Sequence, residues 1–164
     1  MSLPIIADTG GLLRALARTR DNRASFPDFE AVLTSASLVI VPALVLAEVD
    51  YFLREERAAM RKLIAEIFDP GTRYEYEFPL PADLVRALEL DAKFKELDLG
   101  LVHGTVVAVA ERRQVYRVLT TERRDFAAIR IVPRLTRALQ LLPQRHPDPG
   151  SAHSMAPQSR KAAR

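Results

Sequence analysis

A chain of 164 residues, 48% apolar and 27% charged, is long enough for one domain with a substantial core and needs no staple to hold it. Cysteine is absent, which excludes thiolate chemistry and disulfide stapling and suits a reducing cytoplasm. The formal net charge of +3 invites a nucleic-acid partner, but the segment from Gln144 to Arg164 carries all of it, so the body is neutral and RNA contacts must come from local clusters.

No apolar run reaches membrane-spanning length, and the chain starts on strand-like residues rather than a charged-then-apolar leader, so a cytoplasmic protein is expected. Leu3 to Ala7 has no helical period and reads as a buried first strand. Thr9, Gly10 and Gly11 then open a helix containing Leu12, Leu13, Leu16 and Ala17. Asp8, between strand and helix, stands where α/β proteins put ligand-handling groups, or serves as a helix cap. Phe29, Val32 and Leu33 predict a second helix, and Ser37 to Val41 a second strand ending at Pro42. A helix from Ala43 carries Leu44, Val45, Ala47, Glu48, Phe52 and Leu53. Glu48 therefore follows a strand closely, while Asp50, two positions on, cannot share its face.

Met60, Leu63, Ile64, Ile67 and Phe68 mark a further amphipathic helix, closed by the turn Asp69-Pro70-Gly71. Tyr74 to Phe78 is a short strand or an extended connector. Pro81 begins a helix expected to bury Leu84, Val85, Ala87 and Leu88. Val102, Val106, Val107, Val109 and Ala110 place the next helix, with its start close to His103. Arg117 to Leu119 reads as a strand and Ile129 to Val132 as the last one, ended by Pro133. Between them lie Thr120, Thr121, Glu122 and Asp125, with Phe126 anchoring the loop in the core. Leu139 to Leu142 closes a domain of residues 1–143. The proline-, serine- and arginine-containing tail, 144–164, has no core-forming pattern and is expected to be disordered. The alternation predicts an α/β fold with a mostly parallel central sheet and helices on both faces.

Four segments end an apolar run where an acidic side chain would project into one shared cleft: Pro4 to Asp8, Val41 to Glu48, Asp98 to His103, and Val118 to Phe126. Gathered carboxylates repel one another and are normally held by divalent cations, and hard oxygen ligands suit magnesium or manganese. The expected metal set is Asp8, Glu48, His103 and Glu122, with Asp125 a further catalytic carboxylate, and the implied chemistry is metal-assisted hydrolysis of a phosphodiester. His103 breaks the pattern. Magnesium is a poor partner for imidazole nitrogen, so His103 is either a replacement ligand for a more tolerant metal such as manganese or a lesion in a site built on negative charge. Asp98 reads as a turn acid. Arg112, Arg113, Arg117, Arg123 and Arg124 bracket the last acidic segment, as phosphate contacts or as a solvated helix end and loop.

Asp8-Thr9-Gly10, Leu46-Ala47-Glu48-Val49-Asp50, Leu99-Gly100-Leu101-Val102 before His103-Gly104-Thr105, and Leu119-Thr120-Thr121-Glu122-Arg123-Arg124-Asp125-Phe126 occur in the order of a PIN-domain nuclease. The chain resembles the VapC-type toxins of toxin–antitoxin pairs from about Leu3 to Leu142. In that family the position of His103 normally carries an acid, and Asp is the commoner choice at that of Glu122. The resemblance implies a PIN-like fold, a magnesium- or manganese-dependent endoribonuclease, a VapB-type antitoxin partner and a homodimer. Leu63, Ile64, Ile67 and Phe68 are surplus apolar positions suited to such an interface. His103 implies impaired chemistry, or an inactive module of the same fold that binds antitoxin or RNA.

Overall fold

Apolar runs too short for helices form the centre of the molecule. The computed structural model describes residues 2–131 and 137–144. Along the chain come β1 (Ile5–Ala7), α1 (Thr9–Leu16), α2 (Pro27–Ser35), β2 (Val39–Pro42), α3 (Ala43–Phe52), α4 (Arg57–Phe68), β3 (Tyr74–Glu77) and α5 (Pro81–Lys93). After a 3-10 turn at Lys95–Leu97 follow α6 (Gly100–Arg113), β4 (Arg117–Leu119), α7 (Arg123–Ala128), β5 (Arg130–Ile131), β6 (Arg137–Ala138) and β7 (Gln140–Leu142). Five strands form one sheet in the order β3-β2-β1-β4-β7, and every pairing in it is parallel. β5 and β6 make a separate antiparallel pair.

Successive residues of a strand face opposite sides of a sheet. Ile5 and Ile6 of β1 are both fully buried, as are Ile40 and Val41 of β2, so both faces of the sheet centre are covered. That is why these strands read as unbroken apolar runs rather than alternating ones. The α/β expectation is met. Within Tyr74 to Phe78, residues Tyr74–Glu77 form a true edge strand, β3, and the closing apolar segment Leu139 to Leu142 contains β7, paired with β4. The last strand expected at Ile129 to Val132 is the two-residue β5, and Val132 and Pro133 lie outside the described residues. So does the tail from residue 145 onward.

The face assigned to α5 needs correction. Asp83, Ala87 and Leu90 are its buried residues, whereas Val85 and Leu88 are 59% and 61% exposed. The cause is a charged contact that an apolar pattern does not reveal. Asp83 receives two hydrogen bonds, each 3.0 Å, from the Nε of Arg112 on α6, which turns α5 so that Ala87 packs against that helix. Gly104 makes the approach possible, because a Cβ there would lie 2.9 Å from the Cβ of Ala87.

The order β3-β2-β1-β4 means that the chain leaves β1 for one side of the sheet and returns to its other side at β4. The crevice at the carboxyl ends of β1 and β4 is thus the topological switch point, where open α/β sheets bind ligands.

Candidate active site

Asp8 follows β1 directly, and its backbone N–H continues the ladder by donating to the carbonyl of Leu119 at 3.0 Å. It occupies the N-cap position of α1 but makes no side-chain capping bond, so the helix-cap reading fails. Its carboxylate instead points into the crevice, where Oδ2 accepts a 2.8 Å hydrogen bond from the Thr120 hydroxyl. That hydroxyl oxygen accepts in turn from the N–H of Glu122 at 2.9 Å, linking the ends of β1 and β4. Gly10 and Gly11 allow α1 to start this close. A Cβ on Gly11 would fall 2.1 Å from the Leu119 carbonyl oxygen, and one on Gly10 would meet the Thr121 hydroxyl at the same distance.

Glu48 lies in the middle of α3, half-buried, and its Oε2 accepts a hydrogen bond from the hydroxyl of Thr9. His103 is one turn into α6, 22% exposed, its ring beside that of Phe126 and its Nε2 3.6 Å from Oδ1 of Asp8. Glu48, His103 and Glu122 line one pocket of about 360 Å³ together with Thr9, Gly10, Leu13, Arg14, Phe52 and Thr121. Asp8 is fully buried beside His103. Asp8 and His103 are thus side by side, and Glu48, His103 and Glu122 share the lining of the adjoining pocket.

The other choices separate from it. Asp125 sits half-buried in the first turn of α7 and does not line the pocket, and an acid there complements the N-terminal end of a short helix. Asp98 is exposed, in a left-handed turn that ends the 3-10 segment, as a turn acid should be. Asp50 pairs with Arg57 at 2.6 Å. Of the arginines, Arg112 binds Glu77 at 2.7 Å and Asp83 at 2.9 Å, and Arg113 binds Glu75 and Glu77. These two lock α6 to β3 and α5, and their guanidinium groups are occupied by carboxylates. Arg117 begins β4, at the opposite end of the strand from Thr120, and donates to the carbonyl of Leu3 at 3.4 Å. Arg123 and Arg124 open α7 next to Glu122.

Electrostatically the buried carboxylate is in a poor position. Oδ1 of Asp8 is buried without a hydrogen-bond donor. Burial raises the Asp8 pKa above its ordinary value, and Glu48 adds to the rise. The charge of His103, the Thr120 hydroxyl and the Thr9 N–H act against it. A divalent cation would compensate such an oxygen, and Asp8, Glu48 and Glu122 supply the hard donors magnesium prefers. The fourth donor is imidazole, directed at the very oxygen left without a partner. Among the described residues, no three acidic, histidine or cysteine side chains gather closely enough to hold a metal ion. The set as it stands does not fit magnesium.

Two pocket residues carry no metal-binding chemistry and escaped selection from sequence. Arg14 follows Gly10 by four positions on α1, and Phe52 follows Glu48 by four on α3, so each repeats one turn later on a face already turned to the site. That spacing was available in the sequence.

No family model matches the chain. It is 26% identical over 132 residues to Ribonuclease VapC26 of Mycobacterium tuberculosis, an alignment covering 77% of this chain and 92% of that relative. The crystal structure of Mycobacterium tuberculosis VapC20, a Sarcin-Ricin loop cleaving toxin, superposes with a TM-score of 0.56 at 19% identity, over 70% of this chain and 86% of that one. At that identity the second likeness establishes the PIN-like fold.

Proposed function

We infer that this chain is a VapC-type PIN-domain endoribonuclease toxin whose chemistry is impaired by His103. The observation that carries the reading is the meeting of Glu48, His103 and Glu122 around one pocket beside buried Asp8, at the switch point of a sheet shared with VapC proteins. A relative with ribonuclease in its name, aligned over most of both chains, supports the same reading.

Phosphodiester hydrolysis builds negative charge on the phosphate and on the leaving oxygen, and that charge must be offset. Carboxylates alone oppose it. Of the pocket's two basic side chains, Arg14 and His103, the His103 imidazole faces Asp8 Oδ1. The imidazole beside Asp8 Oδ1 stands where a site built on carboxylates alone would supply a further oxygen donor. Manganese or zinc tolerates imidazole better than magnesium does, and a manganese-supported activity is the form in which chemistry would survive.

The same pairing favours a second reading, in which the fold is retained as a binding module for a VapB-type antitoxin or for RNA. The two differ in one assay: cleavage of total RNA by the parent chain and by His103→Asp, side by side, with magnesium and then manganese. Cleavage appearing only in the substituted protein supports an impaired nuclease, and cleavage by neither supports the module. We assign RNA as the substrate, a VapB-type antitoxin as the regulatory partner and a homodimer as the assembly. The exposed apolar side chains Phe68, Phe78, Val85 and Leu88 support a protein interface.

A further inference from the structure

We propose that Arg14 and Phe52 form a clamp at the mouth of the pocket that takes an unpaired base and an adjacent phosphate of single-stranded RNA. The proposal rests on the ribonuclease reading and names the form of RNA that the site accepts.

Phe52 is 58% exposed at the end of α3, one turn beyond Glu48, and it lines the pocket. A ring left in water at the rim of a pocket that also contains Glu48 and Glu122 contributes little to the core. Its neighbour Tyr51 is also exposed, but the Arg54 guanidinium covers that ring at 4.5 Å from its centroid. Phe52 meets Tyr51 edge to face at 5.6 Å, and at 58% exposure it keeps ring surface open to water. Nucleobases stack on such faces whatever their sequence.

Arg14 provides the complementary charge. It is exposed on α1, lines the same pocket, and has no carboxylate within ion-pair distance among the described residues. Its guanidinium lies 5.0 Å from the ring centroid of Phe26 and 5.5 Å from that of Phe29, so it is held in place without being neutralised. This contrasts with Arg112 and Arg113, whose guanidinium groups are already paired with carboxylates. A phosphate approaching Glu48 and Glu122 meets repulsion, and a fixed guanidinium at the rim offsets it on the side where the strand enters. A basic peptide would suit the two glutamates but be repelled by Arg14. The pocket volume of about 360 Å³ is in the range of sites that enclose small ligands. Bases paired inside an A-form duplex cannot offer their faces to Phe52, so the clamp discriminates against double strands.

The test is binding, measured by fluorescence anisotropy in EDTA so that cleavage does not intervene. The probe is a short unstructured fluorescein-labelled oligoribonucleotide, compared with the duplex it forms with its complement. The parent chain is expected to prefer the single strand. Phe52→Ala should weaken single-strand binding about tenfold, equivalent to about 1.4 kcal/mol, and leave duplex binding unchanged, while Phe52→Trp should retain it. Arg14→Ala should weaken binding and lower the slope of log affinity against log salt by about one, the signature of one lost phosphate contact. Thermal melting of each variant establishes that it is folded. Equal single-strand affinity of parent and Phe52→Ala, or equal affinity of the parent for both probes, overturns the clamp. If the clamp variants behave as expected while neither the parent nor His103→Asp cleaves RNA, the clamp stands and the nuclease reading falls.

Discussion

Nε2 of His103 lies 3.6 Å from Oδ1 of Asp8, the carboxylate oxygen that burial leaves without a hydrogen-bond donor. Replacing His103 by aspartate removes that pairing and adds a carboxylate where magnesium would accept one. The expected result is a gain of at least ~100-fold in magnesium-dependent RNA cleavage, equivalent to about 2.7 kcal/mol of transition-state stabilisation. Asp8→Asn in the same background should abolish the gain. A restored protein no more active than its parent would show that position 103 does not serve the reaction.

Asp8 also makes the fold pH-sensitive. Burial raises its folded pKa above the ordinary value of 3.8, so between that value and the folded pKa the native state binds more protons than the unfolded chain. Stability contributed at this position is therefore present at low pH and lost as pH rises through the window. Asp8→Asn, which cannot ionise, should melt at a higher temperature than the parent at neutral pH, and the difference should shrink as the pH approaches 3.8. A lower melting temperature for Asp8→Asn at neutral pH would mean that the charged carboxylate stabilises the fold.

The arginines chosen from sequence now divide by structure. Arg112 joins Glu77 of β3 and Asp83 of α5, both nearly buried, so Arg112→Ala leaves Asp83 without its cation and Glu77 with Arg113 alone. A loss of about 3 kcal/mol is expected in denaturant unfolding, the usual cost of removing one partner from a buried ionic network. Arg124→Ala, at an exposed position, should stay within about 0.5 kcal/mol of the parent. Similar small effects of both substitutions would show that the network around Asp83 is not holding α5 in place.

Gly11 provides a local test of how α1 meets the sheet. An added Cβ would sit 2.1 Å from the Leu119 carbonyl oxygen, and backbone on both sides must shift to make room. Gly11→Ala should cost about 3 kcal/mol or more and displace Asp8 with it. Gly100→Ala has open space around the new methyl group but a φ of +67°, so only local strain of about 1–2 kcal/mol is expected there. Unfolding that ranks the two substitutions the other way would contradict the close approach of α1 to β4.

Asp8 and Glu122 could be chosen because each follows a short apolar strand, and strand ends in a parallel sheet meet at a switch point. Glu48 and His103 lie inside α3 and α6, and only the order of the four segments, which resembles that of PIN-domain nucleases, singled them out. The ion pairs of Arg112 and Arg113 could not be read, because their partners Glu75, Glu77 and Asp83 lie 29 to 38 positions away and pair only through the tertiary fold. The same network misled the reading of α5, where a charged residue is buried and two aliphatic ones are exposed. Tyr74 to Glu77 was ambiguous because an edge strand is half-wet, and its burial carries no clean alternation.

Assembly is the last expectation to be tested, and the structure changes which residues should carry it. Leu63 and Ile67 of α4 are used in the core, which leaves Phe68 of the earlier surplus at 58% exposure. Phe68 instead joins a row of rings, 5.3 Å from Tyr76, which is itself 4.7 Å from Phe78, and Phe78 is 67% exposed. Val85 and Leu88, three positions apart on α5, present a second apolar strip. Large rings and aliphatic chains left together in water favour association. The chain should therefore sediment as a homodimer at micromolar concentration. Leu88→Glu places a charge in the α5 strip and Phe78→Ser removes the most exposed ring, so comparing them identifies which surface is used. Weakening of self-association by at least ~10-fold is expected for the substitution at the interface, equivalent to about 1.4 kcal/mol, with melting of the monomer unchanged. A parent chain that remains monomeric at every concentration would remove the homodimer.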